Sequence, residues 1–115
     1  MSVVIYHNPK CTKSRQTLAL LNERGVHPEI IQYLHTPPNV EQLKNILKLL
    51  SMSPRDLMRT NEAIYKEKEL DDETLNEEQL IAALIENPIL IERPIVLANK
   101  KAAVCRPPEN VLEIL

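Results

Sequence analysis

Cys11 is the residue around which chemistry can be built. It lies in YHNPKCTKSR, residues 6–15, between a β-branched run and a run of helix formers. If a strand ends near His7 and a helix begins near Thr12, the thiol sits at a helix N-terminus. Unpaired amide N–H groups and the positive end of the helix dipole stabilise a thiolate there. Lys10, Lys13 and Arg15 add positive charge. The same amides and cations suit an oxyanion. The stretch therefore predicts a nucleophilic thiol beside an anion site. Its structural alternative is a buried, inert cysteine with solvated cations around it.

Spacing narrows the chemistry. A dithiol motif needs a second cysteine at position 14, where this chain has Ser14. A phosphate loop of the Cys-x5-Arg kind needs arginine at position 17, where Thr17 stands, and Arg15 is too close to replace it. Cys105 is the other cysteine, and the three histidines are scattered, so no metal site is expected. Two distant cysteines also give no disulfide framework, which suits a reducing compartment.

Composition sets the outer limits. A chain of 115 residues is expected to form one domain. With no Trp or Phe, its core must be mostly aliphatic. A net charge of −2 argues against nucleic-acid or membrane binding through a broad basic surface. An anion site must then come from a few converging cations. There is no apolar run of transmembrane length and no signal-peptide pattern, so a cytoplasmic protein is expected.

The elements that must position Cys11 can be read in order. VVIY (3–6) predicts a buried strand, Thr12 to Gly25 a helix stopped by the chain's only glycine, and EIIQYL (29–34) a second strand. A helix between two strands favours a parallel crossover. Asn39 with Gln42, and Asn76 with Gln79, have capping-box spacing ahead of two apolar helical stripes. The first stripe is Val40, Leu43, Ile46, Leu47 and Leu50; the second is Leu80, Ile81, Leu84 and Ile85, with Pro88 ending it. Pro54 predicts a short helix over PRDLMR, and residues 61–73 carry no clear pattern. RPIVLA (93–98) and KAAVCR (101–106) predict a hairpin, and Pro107 and Pro108 open a terminal helix. The expectation is an α/β fold, a small mixed β-sheet with helices around it.

Four ordered segments carry a family resemblance. YHNPKCTKSR, LMRTNE, NPILIERPIV and CRPPENVLEIL resemble the motifs of the glutaredoxin-coupled arsenate reductase (ArsC) family. ERPIVLANKKA is similar to its short, YfgD-like branch. The resemblance implies a thioredoxin-like fold with a helical insertion, roughly residues 39–88, between its two halves. It implies that Cys11 is the catalytic nucleophile and that Arg59, Arg93 and Arg106 bind the oxyanion, with the Arg93–Pro94 bond cis. His7, Asn8, Ser14 and Arg15 would support them. The plain alternatives are salt-bridge arginines, a strand-end histidine and ordinary turn or cap residues. Cys105 reads as core packing, and His27 and His35 have no assigned role.

The reaction implied is reduction of arsenate to arsenite. Cys11 attacks arsenic, glutathione adds as co-substrate, and glutaredoxin attacks the glutathione adduct; no cofactor is bound. Ser14 then makes sense, because the resolving thiols come from outside. Two competing readings share the fold. One is a regulator resembling Spx that binds RNA polymerase, although those proteins usually have a dithiol where Cys11 and Ser14 stand. The other is a glutathione-dependent thiol oxidoreductase acting on protein mixed disulfides.

Overall fold

The protein is described here by a computed structural model covering residues 2–115. These residues group into two compact units. One comprises the chain up to Thr36 together with Arg93–Leu115, and the other is Pro37–Glu92.

The first unit holds the sheet. Strand β1 (Val4–Tyr6) leads into helix α1 (Thr12–Glu23), which returns to strand β2 (Glu29–Ile31). After the second unit come β3 (Ile95–Ala98) and β4 (Lys101–Val104), and then a 3-10 segment over Pro108–Ile114. The strand order is β2-β1-β3-β4. The β1–β2 pair is parallel, as the crossover predicts, and the β1–β3 and β3–β4 pairs are antiparallel. This is the small mixed sheet of a thioredoxin-like α/β fold.

Each boundary has a local cause. Helix α1 stops because Gly25 adopts a φ of 75°, a left-handed conformation that costs glycine little. The Val26 N–H then reaches the Leu21 carbonyl and the Gly25 N–H the Asn22 carbonyl, satisfying the last turn. The hairpin turns through Asn99 and Lys100, both at positive φ (54° and 61°), as a two-residue turn of type I′ requires. Asn99 also donates from Nδ2 to the Ile114 carbonyl at 2.8 Å, tying the turn to the terminal segment. Leu21, Val3, Ile5, Val96, Ala98, Cys105, Val111 and Ile114 form one apolar cluster between the sheet, α1 and that segment.

Two elements depart from their sequence expectation. Strand β2 ends at Ile31, not at residue 34, because the His35 and Thr36 N–H groups both turn back to the Gln32 carbonyl. Tyr33 is buried within that turn. The terminal segment is 3-10 rather than α-helical and is only seven residues long.

The second unit is helical. Helix α2 (Val40–Leu50) and helix α4 (Glu77–Glu86) both begin at complete capping boxes, Asn39 with Gln42 and Asn76 with Gln79. Their apolar faces bury Leu43, Ile46 and Leu47, and Leu80, Ile81 and Leu84; Val40 remains exposed at 44%. The short helix predicted after Pro54 is a 3-10 turn over Arg55–Leu57, followed by a bridge between Met58 and Ile91. Residues 61–73 contain the short helix α3 (Ala63–Glu67). This stretch is organised by Arg55, whose guanidinium donates to the Tyr65 hydroxyl (3.3 Å) and to the Leu70 and Asp72 carbonyls. A contact this long in sequence leaves no periodic pattern to read. Among the described residues, no helix is long and apolar enough to cross a membrane.

The hairpin generates a stability prediction. Lys100 bears the left-handed strain that glycine lacks, so Lys100→Gly should raise stability by up to about 1 kcal/mol. Chemical denaturation measures this, and a lower midpoint than wild type would contradict the turn assignment.

Candidate active site

Strand register gathers the candidate residues of the first unit at one end of the sheet. β1 and β2 run in parallel with Tyr6 opposite Ile31, and the His7 N–H reaches the Ile31 carbonyl at 2.8 Å. The segments after both strands, residues 7–11 and 32–35, therefore leave from the same end. Tyr6 is opposite Ile95 in the antiparallel pair, so Arg93 and Pro94 lie just beyond that end. Val104 is opposite Ile95 in turn, and the Cys105 N–H bonds the Pro94 carbonyl at 2.9 Å. Arg106 follows directly. Cys11, Arg93 and Arg106 are thus brought to one edge by chain segments far apart in sequence.

Cys11 is the N-cap residue of α1, with extended backbone angles and 9% exposure. Its N–H bonds the Asn8 carbonyl at 2.9 Å, and no side-chain cap bond is made. The free amides of the helix's first turn accordingly face the thiol's neighbourhood without a competing side-chain oxygen.

The loop before Cys11 is held by a small hydrogen-bond network. Ser14, fully buried, has its Oγ 2.6 Å from His7 Nδ1 and accepts the Asn8 N–H at 3.0 Å. One hydroxyl thus ties His7 to the Asn8 backbone, with the His7 tautomer setting which of the His7–Ser14 pair donates. Burial, and then the positive charge of Arg15, hold the His7 pKa below its usual value. Arg15 is exposed and folds back over the loop, donating to the Pro9 carbonyl (3.0 Å) and to Thr12 Oγ1 (3.3 Å). Asn8 Oδ1 accepts the Lys10 N–H at 3.0 Å. The hydrogen bonds of His7, Asn8, Ser14 and Arg15 run to the loop and to one another.

The arginines differ from one another. Arg93 precedes a cis proline, as the family resemblance implied; the Arg106–Pro107 bond is cis as well, which the sequence reading did not anticipate. The Nε and Nη1 atoms of Arg93 are buried and have no hydrogen-bond partner among the described residues. Arg93 as a whole is partly buried, and each buried donor left without an acceptor costs about 1–3 kcal/mol. Arg106 is exposed at the same sheet end. Arg59 belongs to the helical unit, where Glu62 Oε1 lies 2.8 Å and Glu92 Oε1 3.8 Å from its guanidinium. Its N–H bonds the Leu90 carbonyl.

Cys105 is a core residue, as its position in the chain suggests. It is fully buried in the apolar cluster, and burial pushes its thiol up to about 12.

A feature that sequence reasoning missed adjoins the Cys11 loop. A cavity of about 250 Å³ is lined by His7, Asn8, Pro9, Lys10, Gln32, Leu34 and His35. His35 had been given no role. The parallel β1–β2 crossover was the available clue, because it sends the residues after both strands to one end. Among the described residues, no group of three or more His, Cys, Asp or Glu side chains is arranged to hold a metal ion.

Comparison with known proteins bears on this arrangement. The sequence model of the ArsC family matches residues 6–114. The chain is 57% identical over 114 residues to the protein YfgD of Escherichia coli strain K12, covering 98% of this chain and 96% of that one. It is 48% identical to an arsenate reductase of Neisseria meningitidis, covering 98% and 97%. A solved arsenate reductase structure from Vibrio cholerae superposes with a TM-score of 0.97 at 55% identity, covering 100% of this chain and 98% of that one.

The loop network makes two predictions. Ser14→Ala removes the hydroxyl shared by His7 and Asn8, and should cost about 1–3 kcal/mol in a denaturation measurement. An unchanged midpoint would mean that the bond holds nothing. His7 should titrate below 6.5 by NMR, and Arg15→Gln should move it part of the way back, with burial keeping the remainder of the shift. The unfolded chain takes up the His7 proton first, so this contribution to stability is full above about pH 6.5 and is lost as pH falls below it. A His7 midpoint above 6.5 would contradict the buried, neutral ring.

Proposed function

The chain belongs to the ArsC family, and from that premise we propose that it is an arsenate reductase with Cys11 as nucleophile and Arg93 and Arg106 as oxyanion ligands. The single observation that carries the reading is Arg93, whose buried Nε and Nη1 lack a protein partner. An arginine offers a planar fork of donors, and an oxyanion presents two oxygens at matching spacing. An oxyanion accepting from either orphaned donor would satisfy that donor and offset the charge of the partly buried guanidinium. The arsenate reductases of similar sequence support the choice of arsenic over other tetrahedral anions.

The proposed chemistry starts with the Cys11 thiolate attacking As(V). A sulfur–arsenic bond forms, one arsenic–oxygen bond breaks, and the oxygen leaves as water after protonation. A glutathione thiol displaces a second oxygen in the same way, giving arsenic bound to both sulfurs. A glutaredoxin thiolate then attacks the glutathione sulfur. The glutathione–arsenic electron pair passes to arsenic, which becomes As(III), while a mixed disulfide forms on glutaredoxin. Hydrolysis of the Cys11–arsenic bond releases arsenite and returns the thiol.

External reductants fit the residues at hand. Position 14 holds a buried serine, and Cys105 is a buried thiol with a raised pKa, so neither suits the role of a local resolving nucleophile. His7, Asn8, Ser14 and Arg15 act in this reading as the frame that fixes the Cys11 loop. Arg59 stands in the proposal through the family resemblance alone. Dependence on a glutathione pool makes the cytoplasm the proposed compartment.

Arsenite formation from arsenate by purified protein, with glutathione and glutaredoxin supplied, tests the reading. Cys11→Ser should abolish turnover, since a serine hydroxyl does not replace a thiolate at neutral pH; retained arsenite production would remove Cys11 as nucleophile. Arg93→Ala should keep the fold and lower kcat/KM for arsenate by roughly 10–100-fold, the loss expected for hydrogen bonds to a charged group. Unchanged kinetics would take Arg93 out of the site.

A further inference from the structure

The cavity beside the Cys11 loop has a distinctive chemistry. One wall is His7, Asn8, Pro9 and Lys10, the four residues that run up to the thiol; the other is Gln32, Leu34 and His35, from the turn after β2. The two walls are fixed against each other at their base by the parallel register and by the His7 N–H to Ile31 carbonyl bond. No carboxylate lines the cavity, although the chain as a whole carries a net charge of −2. Lys10 supplies a cation, His35 an exposed imidazole, Asn8 and Gln32 side-chain amides, and Pro9 and Leu34 apolar surface.

Other cavities lack this combination. The groove along α1 and Pro107–Pro108 sets Lys13 against Glu23 and Glu109. A third, in the helical unit, has Arg55 among Asp56, Glu73 and Glu77. Either would repel a multiply charged anion more than the cavity at the loop. Size narrows the ligand further. At about 250 Å³ the cavity is just below the usual range for small-molecule sites, roughly 300–1,000 Å³, so it suits part of a short peptide and not a folded partner.

Resting on the proposed reaction, we infer that this cavity seats the anionic thiol co-substrate, a glutathione-class peptide. Lys10 and His35 take its carboxylate, and Gln32 and Asn8 its peptide groups. The co-substrate is then bound next to the Cys11 loop, apart from the arginines that hold the oxyanion. Separate subsites for two anions avoid the repulsion that one shared site would impose.

Two measurements test the assignment. In arsenate-free buffer, ¹⁵N-labelled protein is titrated with S-methylglutathione, whose sulfur cannot react. Amide shifts should concentrate at residues 8–10 and 32–35. Shifts that are absent, or that centre elsewhere, overturn the assignment. In turnover, Gln32→Glu and His35→Glu should each raise KM for glutathione by about tenfold and leave KM for arsenate within about twofold, while His35→Lys should stay near wild type. Equal rises in both KM values would also overturn it. If the protein forms no arsenite and the shifts still map to the cavity, the reaction assignment fails and the anionic peptide site stands.

Discussion

The pairing of β1 with its two neighbours is the constraint on which the site depends. Parallel pairing with β2 sends residues 7–11 and 32–35 off the same end of the sheet. Antiparallel pairing with β3, in register Tyr6 to Ile95, brings Arg93 and Pro94 back to that end. The β3–β4 pair then delivers Arg106. A one-residue slip in β3 would turn Val96 and Ala98 out of the apolar cluster and reverse the faces of the residues around Pro94. Core packing on one face of three short strands thus fixes the position of a thiol relative to two arginines more than eighty residues further along the chain.

Two kinds of polar group meet at that sheet end, and they are treated differently. The loop polar groups are satisfied internally: Ser14 serves His7 and Asn8, Asn8 serves Lys10, and Arg15 serves Pro9 and Thr12. A loop held this way keeps Cys11 at the N-cap without drawing on the thiol. Arg93 has the opposite character, with two buried donors that the described residues do not meet. Such a group lowers the stability of the free protein and favours binding of an anion that supplies an acceptor and a countercharge. The contrast between a satisfied frame and an unsatisfied cation is the physical basis of the proposed substrate site.

Local rules made much of this legible before any coordinates. Asn39 with Gln42 and Asn76 with Gln79 marked both long helices of the second unit, because a capping box is complete within four residues. Gly25 marked the end of α1 for a similarly local reason. Tertiary pairings were not legible. Ser14 stood out only as the position of an absent second cysteine and as a supporting or cap residue, and its bonds to His7 and Asn8 exist only because β1 and α1 fold together. Partners distinguish two of the arginines that sequence could only rank by setting: Arg59 has Glu62 and Glu92, and Arg93 has two orphaned donors. The truncation of β2 at Ile31 turned on the Gln32 carbonyl collecting two N–H groups, which its strand-like composition concealed.

The central claim is that the buried donors of Arg93 take up the oxyanion, and side-chain NMR reads this atom directly. The Arg93 Nε–H resonance would be followed in Cys11→Ser protein during titration with arsenate, so that no covalent adduct intervenes. The account predicts a saturable downfield shift of Arg93 Nε–H with slower solvent exchange, and a smaller change at Arg55, whose guanidinium is already engaged by Tyr65, Leu70 and Asp72. An Arg93 resonance that stays still while arsenate binds would contradict it.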